Sequence, residues 1–418
     1  MSDWNPRCVV VGAGTVGASC AWHLKRRGAQ VTLIDSELPG MSTSYGNAGC
    51  ISPSHVIPFS YPGVGWKVPG WLFDPLGPLK IRWQDLPRLV PWLWRFWRSG
   101  TAAGVMRAAR AQKALMDRVV TDFDQVLSAI GASDMRRAMG VIVVYDRREH
   151  FEAERWQFEL LEQLDFEWEY LSPAELRIMV PALDVGTGMA IYLPDWQHVL
   201  SPAGVTARIA EACFGAGGEW LQDRVRSVRA TEQGVTVGTE GGRELRAEYL
   251  VIAAGVWSNA LARQLDYTVP VNPKRGYHSM IAQPGVELDY PIESGSRRFV
   301  MTPMAEGLRL AGTAEFAALD APPDYRRARV LREHAQRYLP GIRFEGVTEW
   351  MGQRPMTPDS IPIISGSPGH RNVFYAFGHG HYGLTQGPTT GDIITRLVFG
   401  EEPGLDLSPY RFDRFHKS

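Results

Sequence analysis

Cysteine is scarce in this chain. There are four in 418 residues, Cys8, Cys20, Cys50 and Cys213, and no two are spaced as C-x-x-C. That excludes a disulfide framework and a zinc knuckle and fits a reducing, cytoplasmic setting. Excess charge of either sign is also missing: 44 Lys and Arg against 45 Asp and Glu leave a net −1, so bulk charge offers no grip on nucleic acid. No apolar run is long enough to span a bilayer, and neither an internal repeat nor a low-complexity tract is present. The opening MSDWNPR puts an acid and a proline before the first apolar run, which reads into a structured element rather than a signal peptide. What remains is a chain that is 44% hydrophobic, long enough for two domains.

The most informative block is CVVVGAGTVGASCAWHLKRRGAQVTLID. Cys8 to Val11 reads as a buried strand, Ala21 and Leu24 continue an apolar helical face, Gly28 stops the helix, and VTLID is a second buried strand ending at Asp35. Gly12, Gly14 and Gly17 complete G-x-G-x-x-G in that context. Gly12 permits the tight turn, Gly14 lets the backbone approach a pyrophosphate, and Gly17 lets helix and strand pack closely; the helix N-terminus offers free N–H groups to phosphates. Asp35 stands where a carboxylate accepts from a ribose diol. The motif predicts a dinucleotide site and leaves NAD and FAD undecided.

Downstream, SYGNAGCISPSHVIPFS (Ser44 to Ser60) is loop chemistry. An NAD fold would proceed directly to its next strand and helix, so the long loop points to a larger cofactor. Trp66 to Ser99 is rich in tryptophan and proline. A buried helix with aromatic packing is the favoured reading, because Trp92 and Trp94 point in different directions on a helix. A lid, or a surface touching membrane or quinone, is the rival. A helix is expected over 103–130, strands over 139–147 and 188–194, and a helix capped by Ser201 with Pro202 in its first turn. A hairpin with a Gly-Gly turn then leads to a buried strand from Tyr249 to Ala254, with Ser258 or Asn259 capping the next helix. Strands follow over 271–283 and 297–316. The chain thus alternates between dinucleotide-fold pieces, 1–60, 201–258 and 350–418, and a second, mostly antiparallel domain, 61–200 and 259–349. The expected class is α/β, a Rossmann-like cofactor domain with an α+β substrate domain.

Four stretches, VVVGAGTVG…VTLID, TSYGNAGCISPSHVIPFSYPGV, YLVIAAGVWS and GQRPMTPDSIPIIS…NVFYAFGHGHYGLTQGPTTG, together resemble the FAD-dependent amino-acid oxidoreductases of the D-amino-acid oxidase-like fold, in particular the bacterial D-amino-acid dehydrogenases. The resemblance runs through nearly the whole chain, and its last stretch is the most specific. It implies FAD, held at its adenosine end by Gly12, Gly14, Thr15, Val16, Gly17, Asp35 and Ser36. Ser44, Asn47, Ala48 and Gly49 would follow in the loop, and Val225, Ala254, Gly255 and Trp257 further along. It sets Gly378, His379, Gly380, Gly383, Leu384 and Thr385 beside the flavin, where a helix N-terminus favours the ring edge that turns negative on reduction. His379 braces that loop and His381 faces substrate or solvent. A metal reading of the two histidines is poor, since their spacing is two and no carboxylate or cysteine is near.

The implied reaction is hydride transfer from Cα–H of a D-amino acid to flavin N5, giving an imino acid that water converts to a 2-oxo acid and ammonia. Arg354 matches the family arginine that anchors the substrate carboxylate, a task suited to its planar fork. Tyr277 and His278, with Arg275 before them, are further candidates, and Tyr61, His55 and His198 weaker ones. The electron acceptor is a quinone or oxygen, and the aromatic segment leaves open peripheral contact with an inner membrane. Rival readings are an oxidase or dehydrogenase of secondary amines such as sarcosine, proline or hydroxyproline, a flavin-binding subunit of a larger complex, and an NAD-dependent dehydrogenase.

Overall fold

The structure is a computed structural model that describes residues 4–65, 79–266 and 268–416. The first part of the tryptophan-rich segment, 66–78, lies outside the described residues. In chain order the elements used below are β1 (Arg7–Val11), α1 (Thr15–Arg26), β2 (Gln30–Asp35), α2 (Leu86–Ser99), α3 (Ala102–Ala129), β3 (Val141–Tyr145), β4 (Glu169–Leu171), β5 (Met189–Leu193), α4 (Pro202–Gly215), β6 (Glu219–Gln222), β7 (Tyr249–Ile252), β8 (Asn272–Gln283), β9 (Ile292–Ser294), β10 (Phe299–Met304), β11 (Gly307–Phe316), β12 (Glu345–Met356), β13 (Ile363–Gly366), β14 (Val373–Phe377) and α5 (Gly383–Val398).

Two sheets organise the chain. The first has six strands in the order β6-β2-β1-β7-β14-β13. All its pairings are parallel except β13 with β14. Its central strands β1, β7 and β14 are nearly continuous apolar runs, as burial on both faces requires, whereas the edge strand β6 is partly exposed. β1 and β14, from opposite ends of the sequence, both pair with β7. Helix α1 packs on this sheet and against α4 and α5. Small residues make the α1–α5 crossing close: a Cβ at Gly391 would lie 2.7 Å from the Ser19 backbone.

The second sheet has nine strands, following β12-β8-β11-β10-β9-β3-β5-β4 with Leu79–Ile81 beside β11. It is mostly antiparallel; Leu79–Ile81 with β11 and β9 with β3 are the parallel pairs. Alternation along these strands turns one face to a core around Ile142, Ile281, Met301 and Leu331.

The expected strands, the 103–130 helix and the Ser201 cap, whose Oγ accepts from Gly204 N at 3.1 Å, are present. The Gly-Gly hairpin forms between Gly234–Thr239 and Glu244–Ala247. Three expectations are corrected. Neither Ser258 nor Asn259 caps a helix. A 3-10 turn runs straight into Ser258–Ala262, and the Asn259 amide bridges Val269 instead. The helix over 103–130 was grouped with the substrate domain alone, yet α3 buries Val105, Leu115 and Val119 in a core shared by α1 and α5 and by Val143 and Ile191 of the antiparallel sheet. Residues 350–356 were grouped with the cofactor domain, yet they are the end of β12 in the antiparallel sheet. Burial against distant residues decides the first and strand register the second, and sequence position reveals neither.

Candidate active site

The turn between β1 and α1 is dictated by sterics. Gly12 has φ +108°, and a Cβ there would sit 2.5 Å from Ala253 O; a Cβ on Gly17 would sit 1.8 Å from Gly12 O. Only glycine allows strand, turn and helix to meet this closely. Gly14 occupies the N-cap of α1 without a side-chain cap bond, and the Thr15 N–H reaches Ser44 Oγ at 3.1 Å. Asp35, at the end of β2, accepts from Ala13 N at 2.7 Å, which pins the turn while the residue still borders the cavity.

That cavity, of about 810 Å³, runs from the glycine turn to the face of the second sheet. It lies within the size of small-ligand and cofactor sites. At the glycine end its wall includes Gly12, Gly14, Thr15, Val16, Asp35 and Ser36; Val225, Ala254, Gly255 and Trp257 extend it. Ser44, Asn47 and Ala48 form its middle, and Gly378, His379, Gly380, His381, Gly383 and Leu384 border the far part together with Arg354. The N-termini of α1 and α5 therefore open on one space, a favourable setting for an anionic ligand.

Five expected residues are not part of the wall. Gly17 serves the close packing just described. Gly49 lies behind the loop, its N–H donating to Asn47 Oδ1 at 2.8 Å. Thr385 is buried in α5, with its hydroxyl donating to Cys50 O at 3.2 Å. Tyr277 is turned away and donates to Glu315 Oε2 at 2.5 Å while accepting from Asp324 N. His278 is closed off by Trp350, stacked at 5.1 Å, and by Gly46 O, 3.4 Å from its Nδ1. Burial holds its imidazole down to about 3. Catalytic roles for Tyr277 and His278 are thereby corrected: neither reaches the cavity. Arg275 is fully buried and paired with Glu315 at 3.4 Å. Of the weaker candidates, His55 and Tyr61 line the cavity and His198 does not.

The C-terminal loop is a strained-looking but well-braced turn. Gly378 and Gly380 have φ of +85° and +57°, which favours glycine. His379 Nε2 and Thr390 Oγ1 lie 3.0 Å apart, and Gly380 N donates to Pro355 O at 2.9 Å. Burial keeps His379 neutral, near a pKa of about 3. His381 packs on Phe59 at 4.8 Å, and its Nε2 has no hydrogen-bond partner among the described residues. Among those residues no three His, Cys, Asp or Glu side chains converge as metal ligands.

The second sheet supplies the charged wall. Arg354 on β12 crosses above Gly276 of β8, where a Cβ would lie 2.0 Å from its Cζ, and donates to Thr313 O at 3.2 Å. Burial lowers its pKa to about 10, which still leaves it cationic near neutrality. Lys274 of β8, the cross-strand partner of Arg354, also lines the cavity. So does Glu293, whose carboxyl burial raises to about 7. Neither was anticipated: a lysine beside a proline and a glutamate in a short strand look like solvent-facing residues until the topology is known.

The donor set fits FAD. The two helix N-termini and the glycine turn open on one cavity, and buried polar atoms of Thr313, Gln353 and His381, all wall residues, have no hydrogen-bond partner among the described residues. Such atoms ask for a polar ligand.

The chain matches the DAO family, FAD dependent oxidoreductase, over residues 7–397. It is 33% identical to the D-amino-acid oxidase of Bradyrhizobium diazoefficiens, over 97% of this chain and 98% of that protein. It is 31% identical to the D-amino acid dehydrogenase of Paramagnetospirillum magneticum, over 98% and 99%. Among solved structures, glycine oxidase from Geobacillus kaustophilus superposes with a TM-score of 0.75 at 22% identity, covering 98% of this chain and 99% of that one. L-proline dehydrogenase from P. horikoshii superposes with 0.74 at 18%, covering 99% and 98%. The glycine turn, the second sheet and the C-terminal loop thus lie within one matched domain, and the chain belongs to the DAO family of FAD-dependent oxidoreductases.

Proposed function

We propose that this enzyme oxidatively deaminates D-amino acids, with Arg354 receiving the substrate carboxylate. The observation that carries the reading is Arg354 itself: a half-buried guanidinium on the cavity wall, bonded to Thr313 O and with no carboxylate partner among the described residues. A cation held away from water without a counter-ion favours an anionic ligand, and the guanidinium fork matches a carboxylate. FAD, when bound, supplies a two-electron acceptor for the Cα hydride. The protein's part is positioning. Gly12, Gly14 and the α1 N-terminus would hold the pyrophosphate. The loop Gly378–Gly383 and the start of α5 would hold the ring. Phe59, His381 and Tyr382 make a largely apolar wall that excludes water from the reacting carbon. His55 and His381 are kept neutral by burial, and nearby cations oppose their protonation further; we assign no dedicated base. The imino acid hydrolyses in water after release.

The D-amino-acid reading is preferred over secondary amines because the relatives above 30% identity are named for D-amino acids. The test is anaerobic flavin reduction across paired D- and L-amino acids, sarcosine and proline. Bleaching by D-amino acids is expected. Bleaching only by N-alkyl or cyclic amines would move the assignment to the secondary-amine reading. Admitting oxygen or a soluble quinone afterwards identifies the acceptor.

No helix among the described residues is long and apolar enough to cross a membrane. Peripheral contact is a further part of the proposal. Trp83 and Val90, Trp94 and Trp97 of α2 are exposed, among exposed Arg88, Arg95 and Arg98, a combination suited to an anionic lipid surface.

A further inference from the structure

Lys274 and Arg354 form a pair that a monocarboxylate does not complete. They are direct cross-strand partners, so they stand on one face of the sheet, and both line the cavity. The two heads diverge. Arg354 leans over Gly276 toward Thr313 O, whereas Lys274 Nζ sits 3.9 Å from the centre of the Phe59 ring. Gly276 lies two positions along the strand from Lys274, so the guanidinium and the foot of the lysine are separated by roughly 7 Å, two strand rises. Lys274 is 8% exposed. No hydrogen bond or ion pair to a carboxylate forms with either group among the described residues; burial first, and Arg354 second, push the Lys274 ammonium well below the usual lysine range, a shift that an anionic partner opposes. Of the cavity's carboxylates, Asp35, Glu37 and Asp223 belong to its glycine-turn end with Arg224 and Val225, and Glu293, on β9, makes no ion pair with either cation among the described residues.

Two cations on neighbouring strands of a partly buried wall repel each other and lose hydration. An aromatic face offsets only part of that for the ammonium. One α-carboxylate is fully used by the two parallel bonds of the arginine. A second anionic group, a few bonds further along the substrate, would meet Lys274. We propose that the substrate carries two carboxylates, an acidic D-amino acid such as D-aspartate or D-glutamate, with its side-chain carboxylate held by Lys274. The inference rests on the reading above that Arg354 holds the α-carboxylate.

The experiment uses the FAD-loaded enzyme and compares D-aspartate with D-asparagine, and D-glutamate with D-glutamine, in anaerobic flavin reduction; D-alanine is the small neutral reference. The acidic member of each pair is expected to have a kcat/KM about tenfold or more above its amide. Lys274→Met, which keeps the apolar stem, is expected to lower that ratio by at least about tenfold, and Lys274→Arg to retain much of it. A turnover-independent readout is perturbation of the flavin spectrum by succinate and propionate: succinate should act at the lower concentration, and Lys274→Met should remove the difference. Bound-FAD content and thermal melting of each variant establish that it folds. D-alanine and the amides outpacing the acidic substrates would overturn this proposal and leave the D-amino-acid reading standing. So would a Lys274→Met variant that weakens acidic and neutral substrates equally, since Lys274 would then serve the α-carboxylate. Bleaching by no amino acid would overturn both readings.

Discussion

A buried guanidinium gains more from a carboxylate than a surface one does, because water no longer competes for its five donors. Arg354 is half-buried on the cavity wall, and among the described residues its one hydrogen bond goes to a backbone carbonyl. Arg354→Lys keeps a charge but loses the planar fork, and Arg354→Ala loses both. Steady-state kinetics of the FAD-loaded variants should show kcat/KM reduced about tenfold to a hundredfold for lysine, and by a further factor for alanine, since breaking a desolvated charge pair costs about 2–5 kcal/mol. Unchanged KM and kcat in both variants would remove the carboxylate role. Arg354 was legible in the sequence because it sits in a short, unusual run, GQRPMTPD. Lys274 was not. Its role depends on facing Arg354 across two strands about 80 residues apart, a register of hydrogen bonds and not a motif.

At the scale of an element, α2 departs most from expectation. The favoured reading was a helix buried on all sides, but the helix is two-faced. Trp92 is 5% exposed, its Nε1 donates to Met356 O at 3.2 Å, and with Leu93 and Phe96 it closes one side of the cavity. Trp94 and Trp97 are 57% and 61% exposed and stack on each other at 5.2 Å. The spacing argument was sound about direction: residues two apart do diverge. It erred in supposing that both directions meet protein. Vesicle co-sedimentation separates the two faces. Wild-type enzyme should bind vesicles containing anionic lipid, and Trp94→Ser with Trp97→Ser should lose most of that binding while melting close to wild type. Trp92→Ala should do the reverse, costing about 3–5 kcal/mol of stability in denaturant unfolding. Equal vesicle binding by wild type and the double variant would end the membrane reading.

For the whole molecule, buried histidines set the response to acid. Desolvation holds His55 and His198 down to about 4, and His278 and His379 down to about 3. The same groups titrate near 6.5 when unfolded, so between those values the unfolded chain binds more protons. Their contribution is present above pH 6.5 and is lost as pH falls toward 3 to 4, about 1 kcal/mol per group over the first unit below 6.5. Glu293, raised to about 7, acts in the opposite sense but is a single group. Thermal melting should therefore drop steeply from pH 6.5 to 5.5. His198→Gln, away from the cavity and with its Nδ1 unpartnered among the described residues, should make the slope shallower; an unaltered slope would show that His198 does not titrate in this window. Much of the architecture was legible in sequence because it is written in local terms. Gly12 and Gly17 encode a close approach that other residues cannot make, apolar runs encode buried parallel strands, and Ser201-Pro202 encodes a helix start. The tertiary structure alone decided which strands lie side by side, that α3 packs with α5, that Tyr277 and His278 are shut away, and that Lys274 is the cross-strand partner of Arg354. Those outcomes follow from register and from burial against distant parts of the chain, and no stretch of a few residues carries that information.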